Sequence, residues 1–255
     1  MQEQLSGFVK SEKHGSTLTI EFYHPQSNSL PTPLLNDLTT HIHGAGVDDE
    51  IRVIVLRSVG DRAFCAGASF TELSKINSIR DGEDFFNGFA HVINSMRKCP
   101  KFIIARIQGK CVGGGVGLVA AADYAIALTG AEIKLSELEI GIGPFVVGPA
   151  VERKMGLSAF SQLAIDAAAW RTAEWAKARG LYSEVHTNQQ DLDESLQRLI
   201  NHLSHSSPQA IKEIKKILWH DTEHWDKLLS DRAKISGQLV ITPIAQRAIA
   251  MFNKA

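Results

Sequence analysis

The sequence predicts an α/β protein with a helical C-terminal part. Strand-like runs of β-branched and aliphatic residues alternate with helical patterns through roughly the first 140 residues, whereas from Pro144 onward the apolar spacing is almost entirely helical. Hydrophobic residues make up 44% of the chain and charged residues 22%, the balance of an ordinary globular protein rather than a disordered or fibrous one.

Thr17 to Tyr23 and Ile51 to Leu56 are rich in β-branched and aliphatic residues and read as strands, with Gly15 turning a hairpin ahead of the first. Between them, Leu34, Leu35, Leu38 and Ile42 give Pro31 to His43 the apolar stripe of an amphipathic helix with a proline near its start. Asp84 to Arg97 repeats that pattern through Phe85, Phe86, Phe89, Val92, Ile93 and Met96. Lys101 to Ile107 then reads as a buried strand closed by Gln108 and Gly109, Gly113 to Ala121 as a helix, and Tyr124 to Leu128 as a strand. No fixed-period repeat or low-complexity segment interrupts the chain.

At 255 residues the chain suits one large or two small domains. Its 27 basic and 28 acidic residues nearly cancel, so no broad field draws in nucleic acid or an anionic membrane surface. Three cysteines, Cys65, Cys99 and Cys111, are odd in number and unpaired in spacing, against a disulfide framework or a structural zinc site. Met1 to Ser16 lacks an apolar stretch of signal-peptide length, and no apolar run is long enough to span a bilayer. The expected location is the cytoplasm, with no membrane partner.

Gly113-Gly114-Gly115-Val116-Gly117 follows a strand and opens a helix, so its amides can face an anion at the positive helix end. From Gly115 the run also matches Gly-x-Gly-x-x-Ala, with Glu137 roughly twenty residues on, the spacing of a dinucleotide-binding turn. Against that reading, Gln108 to Val112 intervenes between strand and turn, and three β elements precede it. Close packing of the helix on the sheet is the simple structural use of these glycines. Ala63-Phe64-Cys65-Ala66-Gly67-Ala68-Ser69-Phe70 is a second small-residue loop after a strand. Two such loops can aim two main-chain amides at one point, which is what stabilising a developing oxyanion requires.

These segments together resemble the crotonase family, the enoyl-CoA hydratase and isomerase superfamily. The resemblance runs through His24-Pro25 to Asn28-Ser29-Leu30, Ala63 to Ala68, Cys99-Pro100 to Gly117, Asp123, Glu137 to Pro144, Ala178-Arg179-Gly180-Leu181 and Ser207-Pro208-Gln209-Ala210. It implies a spiral of ββα units, expected over 1–190, and a C-terminal helical oligomerisation region, expected over 191–255, that forms trimers or pairs of trimers. It also implies an acyl-CoA thioester substrate, with coenzyme A carried as part of the substrate and no permanently bound cofactor. The oxyanion donors would be the amides of Ala68 and Gly114, and Ala66, Ser69 and Thr71 would line the substrate path. Glu137 falls where the family places an acid/base carboxylate. Set among Leu135, Leu138 and Ile140, its pKa would rise by desolvation towards the working pH.

Departures from the family pattern narrow the chemistry. Family hydratases carry a second glutamate two residues after the glycine triplet, where this chain has Gly117. One carboxylate suffices to move a double bond from the 3- to the 2-position of an enoyl-CoA, whereas adding water uses two. Isomerisation is therefore expected, with hydration as the alternative if Glu139, two residues along a presumed strand and so on the same face as Glu137, supplies the second acid. Gly141-Ile142-Gly143-Pro144-Phe145 is also similar to the single-glutamate isomerases. Ser69 replaces a common Asp, and Thr71 replaces a Lys that meets a CoA phosphate; Lys75, one helical turn on, can restore that charge. The loss leaves a carrier-protein thioester as another substrate form, and a non-catalytic acyl-CoA-binding homologue as another role.

His220 and His224 would share a helix face and are the best metal pair, but no third ligand accompanies them; His41 and His43 point apart and read as surface residues. Trp170 and Trp175 read as core residues, and Ile241 to Phe252 as an apolar docking helix. No Gly-x-Ser-x-Gly nucleophile motif is present.

Overall fold

The computed structural model describes residues 7–252. In chain order the elements are β1 (Phe8–His14), β2 (Thr17–Tyr23), α1 (Thr32–Val47), β3 (Val53–Ser58), β4 (Ala63–Cys65), α2 (Phe70–Leu73), α3 (Ile79–Lys98), β5 (Phe102–Ile107), β6 (Lys110–Val112), α4 (Gly114–Ala121), β7 (Tyr124–Leu128) and β8 (Ile133–Lys134). A 3-10 turn, Glu137–Ile140, follows. The remainder comprises α5 (Gly148–Met155), α6 (Leu157–Ile165), α7 (Ala173–Ala178), β9 (Glu184–His186), α8 (Gln189–Ser204), α9 (Pro208–Leu218), α10 (Trp225–Val240) and α11 (Pro243–Phe252).

Six strands form the main sheet in the order β1-β2-β3-β5-β7-β9. β1 and β2 are the antiparallel hairpin expected at Gly15, whose φ of 58° suits a tight turn. All other pairings are parallel. Parallel neighbours need crossovers; α1, α3 and α4 lie in the first three, and α5, α6 and α7 in the one from β7 to β9. The sheet buries both faces by side-chain alternation: Ile54, Leu56, Ile103 and Ala105 join the large core with α1 and α3, while Val53, Val55, Ile104 and Ile126 meet Leu192 and Leu196 of α8. Arg106 anchors α8 with a two-pronged bond to Asp193, at 2.6 and 3.1 Å.

β4, β6 and β8 make a second, short parallel sheet. Elements of two or three residues have no readable period, and the sequence pattern does not distinguish them. β9 is likewise a strand inside the region read as helical. α3 begins at Ile79, earlier than its apolar stripe, because the Ser78 hydroxyl accepts from the Asp81 amide and caps it.

α10 lies along α3, and the approach is closest at two glycines: a Cβ on Gly82 would stand 2.8 Å from Gly237 Cα. α9 is pinned by Lys215, almost fully buried, which binds Asp123 Oδ2 at 2.7 Å and the Lys101 carbonyl at 2.8 Å. Asp123 also accepts from the Ile103 amide and from Trp219 Nε1. Among the described residues, no helix is long and apolar enough to cross a membrane.

Candidate active site

β4 and β6 are parallel neighbours with Cys65 paired to Cys111. Each leads within two residues to a glycine in the left-handed region, Gly67 at φ 84° and Gly113 at φ 50°, where a Cβ would be strained. Both chains therefore turn at the same level, and Ala68 and Gly114 follow the two turns. The approach is close: a Cβ on Gly67 would lie 2.7 Å from the Val112 carbonyl oxygen and 3.2 Å from the Gly114 nitrogen. The Ala68 loop is held by the Leu30 amide, which donates to Gly67 O at 2.8 Å. Gly114 is the first residue of α4, so its N–H has no partner within the helix. Among the described residues, neither the Ala68 nor the Gly114 N–H donates to a protein group. Both line one cavity.

β8 continues the same short sheet, pairing Val112 with Lys134. The Gly113 amide donates to Lys134 O at 2.8 Å, so the turn after β8 brings Glu137 to the Gly113 loop. A Cβ on Gly113 would lie 3.0 Å from Glu137 Oε1. Glu137 Oε2 is buried with no hydrogen-bond partner. Burial pushes the carboxyl pKa up from 4.5 to about 7, opposed only by the residue's own amide. The remaining wall is mostly apolar, with Phe70, Phe86, Phe89, Ile142, Phe145 and Val147 lining the cavity together with the two loops. Ser236, from distant α10, is a buried polar residue in that wall.

Ala66, Ala68, Gly114 and Glu137 thus meet in one cavity, whereas Ser69 and Thr71 do not line it. Ser69 is 2% exposed and caps α2 by accepting from the Glu72 amide. Thr71 is exposed and hydrogen-bonds Gln26. Both point away because α2 begins at Phe70 and carries the chain out of the loop. Lys75 lies just beyond α2 and is exposed.

The expectation for Glu139 is corrected. Residues 137–140 form a 3-10 turn rather than a strand, so positions two apart do not share a face. Glu139 is exposed and binds Lys134 Nζ at 2.6 Å, outside the cavity. Gly117 leaves no space for a larger residue, since a Cβ there would stand 2.4 Å from Val147 Cγ1. Cys65 and Cys111 lie beneath the loops, fully buried; burial raises both thiols, Cys65 to about 12, which keeps them protonated.

His220 and His224 are not on one helix: α9 ends at Leu218, α10 begins at Trp225, and His220 binds Asp221. Among the described residues, no group of three or more His, Cys, Asp or Glu side chains is placed to hold a metal. Trp170 is 40% exposed with Lys110 Nζ 4.3 Å from its ring centre, contrary to a core position; Trp175 is partly buried, and neither lines the cavity. The residues that sequence reasoning missed are Phe86, Phe89 and Ser236. The phenylalanines carry only the signal of a core stripe, and Ser236 carries none until α10 is seen against α3.

Two neighbouring loops thus aim amides with no protein partner among the described residues into a cavity that also holds a buried carboxylate. Residues 12–250 match the family model described as enoyl-CoA hydratase/isomerase. The chain belongs to that family, the crotonases, whose members are enzymes acting on CoA thioesters. Over 184 residues it is 32% identical to the mitochondrial methylglutaconyl-CoA hydratase of Homo sapiens, covering 72% of this chain and 54% of that protein. The chain thus spans little more than half the length of that relative. A probable enoyl-CoA hydratase of Bacillus subtilis is 26% identical over 239 residues, covering 93% and 91% of the two chains. The crystal structure of enoyl-CoA hydratase from Bacillus halodurans superposes with a TM-score of 0.88 at 23% identity, over 95% of this chain and 99% of that one, which establishes the shared fold.

Proposed function

We propose that the protein isomerises a 3-enoyl-CoA to the 2-enoyl-CoA with Glu137 as its single acid/base. The observation that carries this reading is the lone carboxylate: Glu137 faces an apolar cavity, Gly117 is packed against Val147, and Glu139 is turned away to Lys134. In this mechanism the thioester oxygen accepts from the Ala68 and Gly114 amides. Ionised Glu137 takes a proton from C2, the dienolate charge is held by the two N–H groups, and the same carboxyl returns the proton at C4. Each amide donor of this kind contributes about 3 kcal/mol to the barrier reduction. A base with a pKa of about 7 is suited to both taking and returning a proton near neutrality.

The substrate is a CoA thioester in this reading, with Lys75 supplying a cation near the loop in place of Thr71. Residues 191–255 form the assembly region, and the expected particle is a trimer or a pair of trimers. Light scattering that finds only monomer at micromolar concentration would contradict that assembly.

The test is a paired turnover assay of wild type and Glu137→Gln on a 3-enoyl-CoA and a 2-enoyl-CoA, with products identified by mass. An isomer of unchanged mass from the first substrate, lost in the variant, supports the reading. The names of the relatives favour a second one, hydration, which a product heavier by one water from the 2-enoyl-CoA would establish. Binding of CoA esters without turnover of either would indicate a binding-only homologue or a carrier-linked substrate.

A further inference from the structure

Two cavities stand back to back on Pro144 and Phe145. One holds Glu137 and the paired amides; the other is lined by the same two residues together with Gly148, Pro149, Phe160 and Ala164, and by Glu152 and Arg232. Pro149, Glu152 and Arg232 also line the adjoining surface groove, so the outer chamber leads to solvent. Both chambers have mostly apolar walls. Of the other apolar side chains in the inner wall, Phe86, Phe89, Val146 and Val147 are buried in the main cluster and Phe70 is partly buried against it. Phe145 is only partly buried and faces both sides.

The chain fixes this partition. The Phe145 amide donates to Gly143 O at 2.7 Å, and the Gly148 amide to Pro144 O at 2.8 Å. The Phe145 ring lies over Gly143 so closely that a Cβ there would stand 2.7 Å from ring carbon Cε2. Pro144 restricts the backbone immediately before the ring.

We propose that Phe145 sets the acyl-chain length: short acyl groups fit the inner cavity, and a longer alkyl tail is excluded because the adjoining apolar chamber, which would continue the path, lies behind that ring. This rests on the reading that the inner cavity receives the acyl part of a thioester. Phe160, Pro149 and Ala164 give the outer chamber the surface an alkyl tail would need, and removing one ring joins the two without cutting into the core.

The test is calorimetric binding of saturated acyl-CoAs, from about four to about twelve carbons, to wild type, Phe145→Ala, and Phe145→Ala combined with Ala164→Trp. Each methylene that is buried tightens binding about fourfold. In wild type this gain should stop after the first few carbons. In Phe145→Ala it should continue, raising the ratio of longest-chain to shortest-chain affinity at least about tenfold, and Trp at position 164 should cancel the increase by filling the outer chamber. Phe145→Leu carries the same comparison should the alanine variant melt early. An unchanged length dependence in Phe145→Ala or Phe145→Leu, or a gain untouched by Ala164→Trp, would overturn the partition while leaving the cavity's use intact. Failure of every acyl-CoA to bind any of the proteins would overturn the proposed function and the partition together.

Discussion

Gly113 and Glu137 face each other at the base of the cavity: a Cβ on Gly113 would stand 3.0 Å from Glu137 Oε1, and Gly113 holds a φ of 50° that a side chain would strain. The loop that presents the Gly114 amide and the turn that presents the carboxylate are therefore in contact, and their spacing is set by the absence of one methyl group. Gly113→Ala should cost about 1 to 2 kcal/mol in backbone strain and displace the carboxylate. Misplacing a reacting group by about 1 Å is enough to lose about 10²-fold in rate. Steady-state kcat/KM beside a thermal melt checks this: rate falling far more than stability is the expected outcome.

Glu137 should also weaken the fold that carries it. Its folded pKa lies above the ordinary 4.5, at about 7, so the folded state holds the proton more tightly than the unfolded chain. Stability is then unaffected by this group below about pH 4.5, falls as pH rises through the window to about 7, and stays reduced by roughly 3 kcal/mol above it. Glu137→Gln removes the charge, so its stability advantage over wild type should be absent near pH 4.5 and fully open by pH 8. Urea unfolding at several pH values measures it, and equal curves at pH 8 would contradict the burial argument. In wild type kcat/KM should rise as pH passes about 7, because the ionised form takes the first proton.

Gly117 should resist every larger residue, because Val147 already occupies the space. Gly117→Ala should cost about 1 to 3 kcal/mol by overpacking. Gly117→Glu should lower the melting temperature further and confer no hydration. Adding Val147→Ala should recover part of the lost stability, and recovery failing in that double variant would show that crowding by Val147 is not the cause.

Asp123 should be among the costliest single positions outside the site. It neutralises Lys215, and both side chains are almost completely buried, at 5% and 3% exposure. Asp123→Asn leaves the ammonium buried without its counter-ion, a loss of about 3 to 5 kcal/mol. The midpoint of urea denaturation should fall accordingly, and a change below about 1 kcal/mol would mean that Lys215 finds water.

The long strands and helices were legible because each carries a period: alternation or continuous aliphatic character in β2, β3, β5 and β7, and a repeating stripe in α1 and α3. The paired small-residue loops were legible because glycine and alanine runs after strands are costly without a use, and Glu137 through the resemblance to the crotonase family. Where local pattern ran out, the sequence misled. Glu139 has the right residue type and spacing, but the chain coils into a 3-10 turn there and sends it to Lys134. Lys215 sits on a helix whose exposed face carries Ile214, Ile217 and Leu218, and only the meeting with Asp123 explains a lysine turned inward.

By itself, then, the sequence determined the α/β class, the main strands and helices and the two loops, since all of these depend on residues within a turn or two of one another, while the candidate carboxylate came from the family resemblance. The tertiary structure decided the rest. Strands of two or three residues exist only because β4, β6 and β8 find each other, and their pairing is what brings Ala68, Gly114 and Glu137, far apart in the chain, to one cavity. Phe86, Phe89 and Ser236 became lining residues only through the packing of α3 and α10, and Phe145 became a partition only because a cavity lies on each side of it. The raised pKa of Glu137 is expected from Leu135, Leu138 and Ile140, but Leu138 is 54% exposed, and the depth of burial that raises it is set by what surrounds the residue in space.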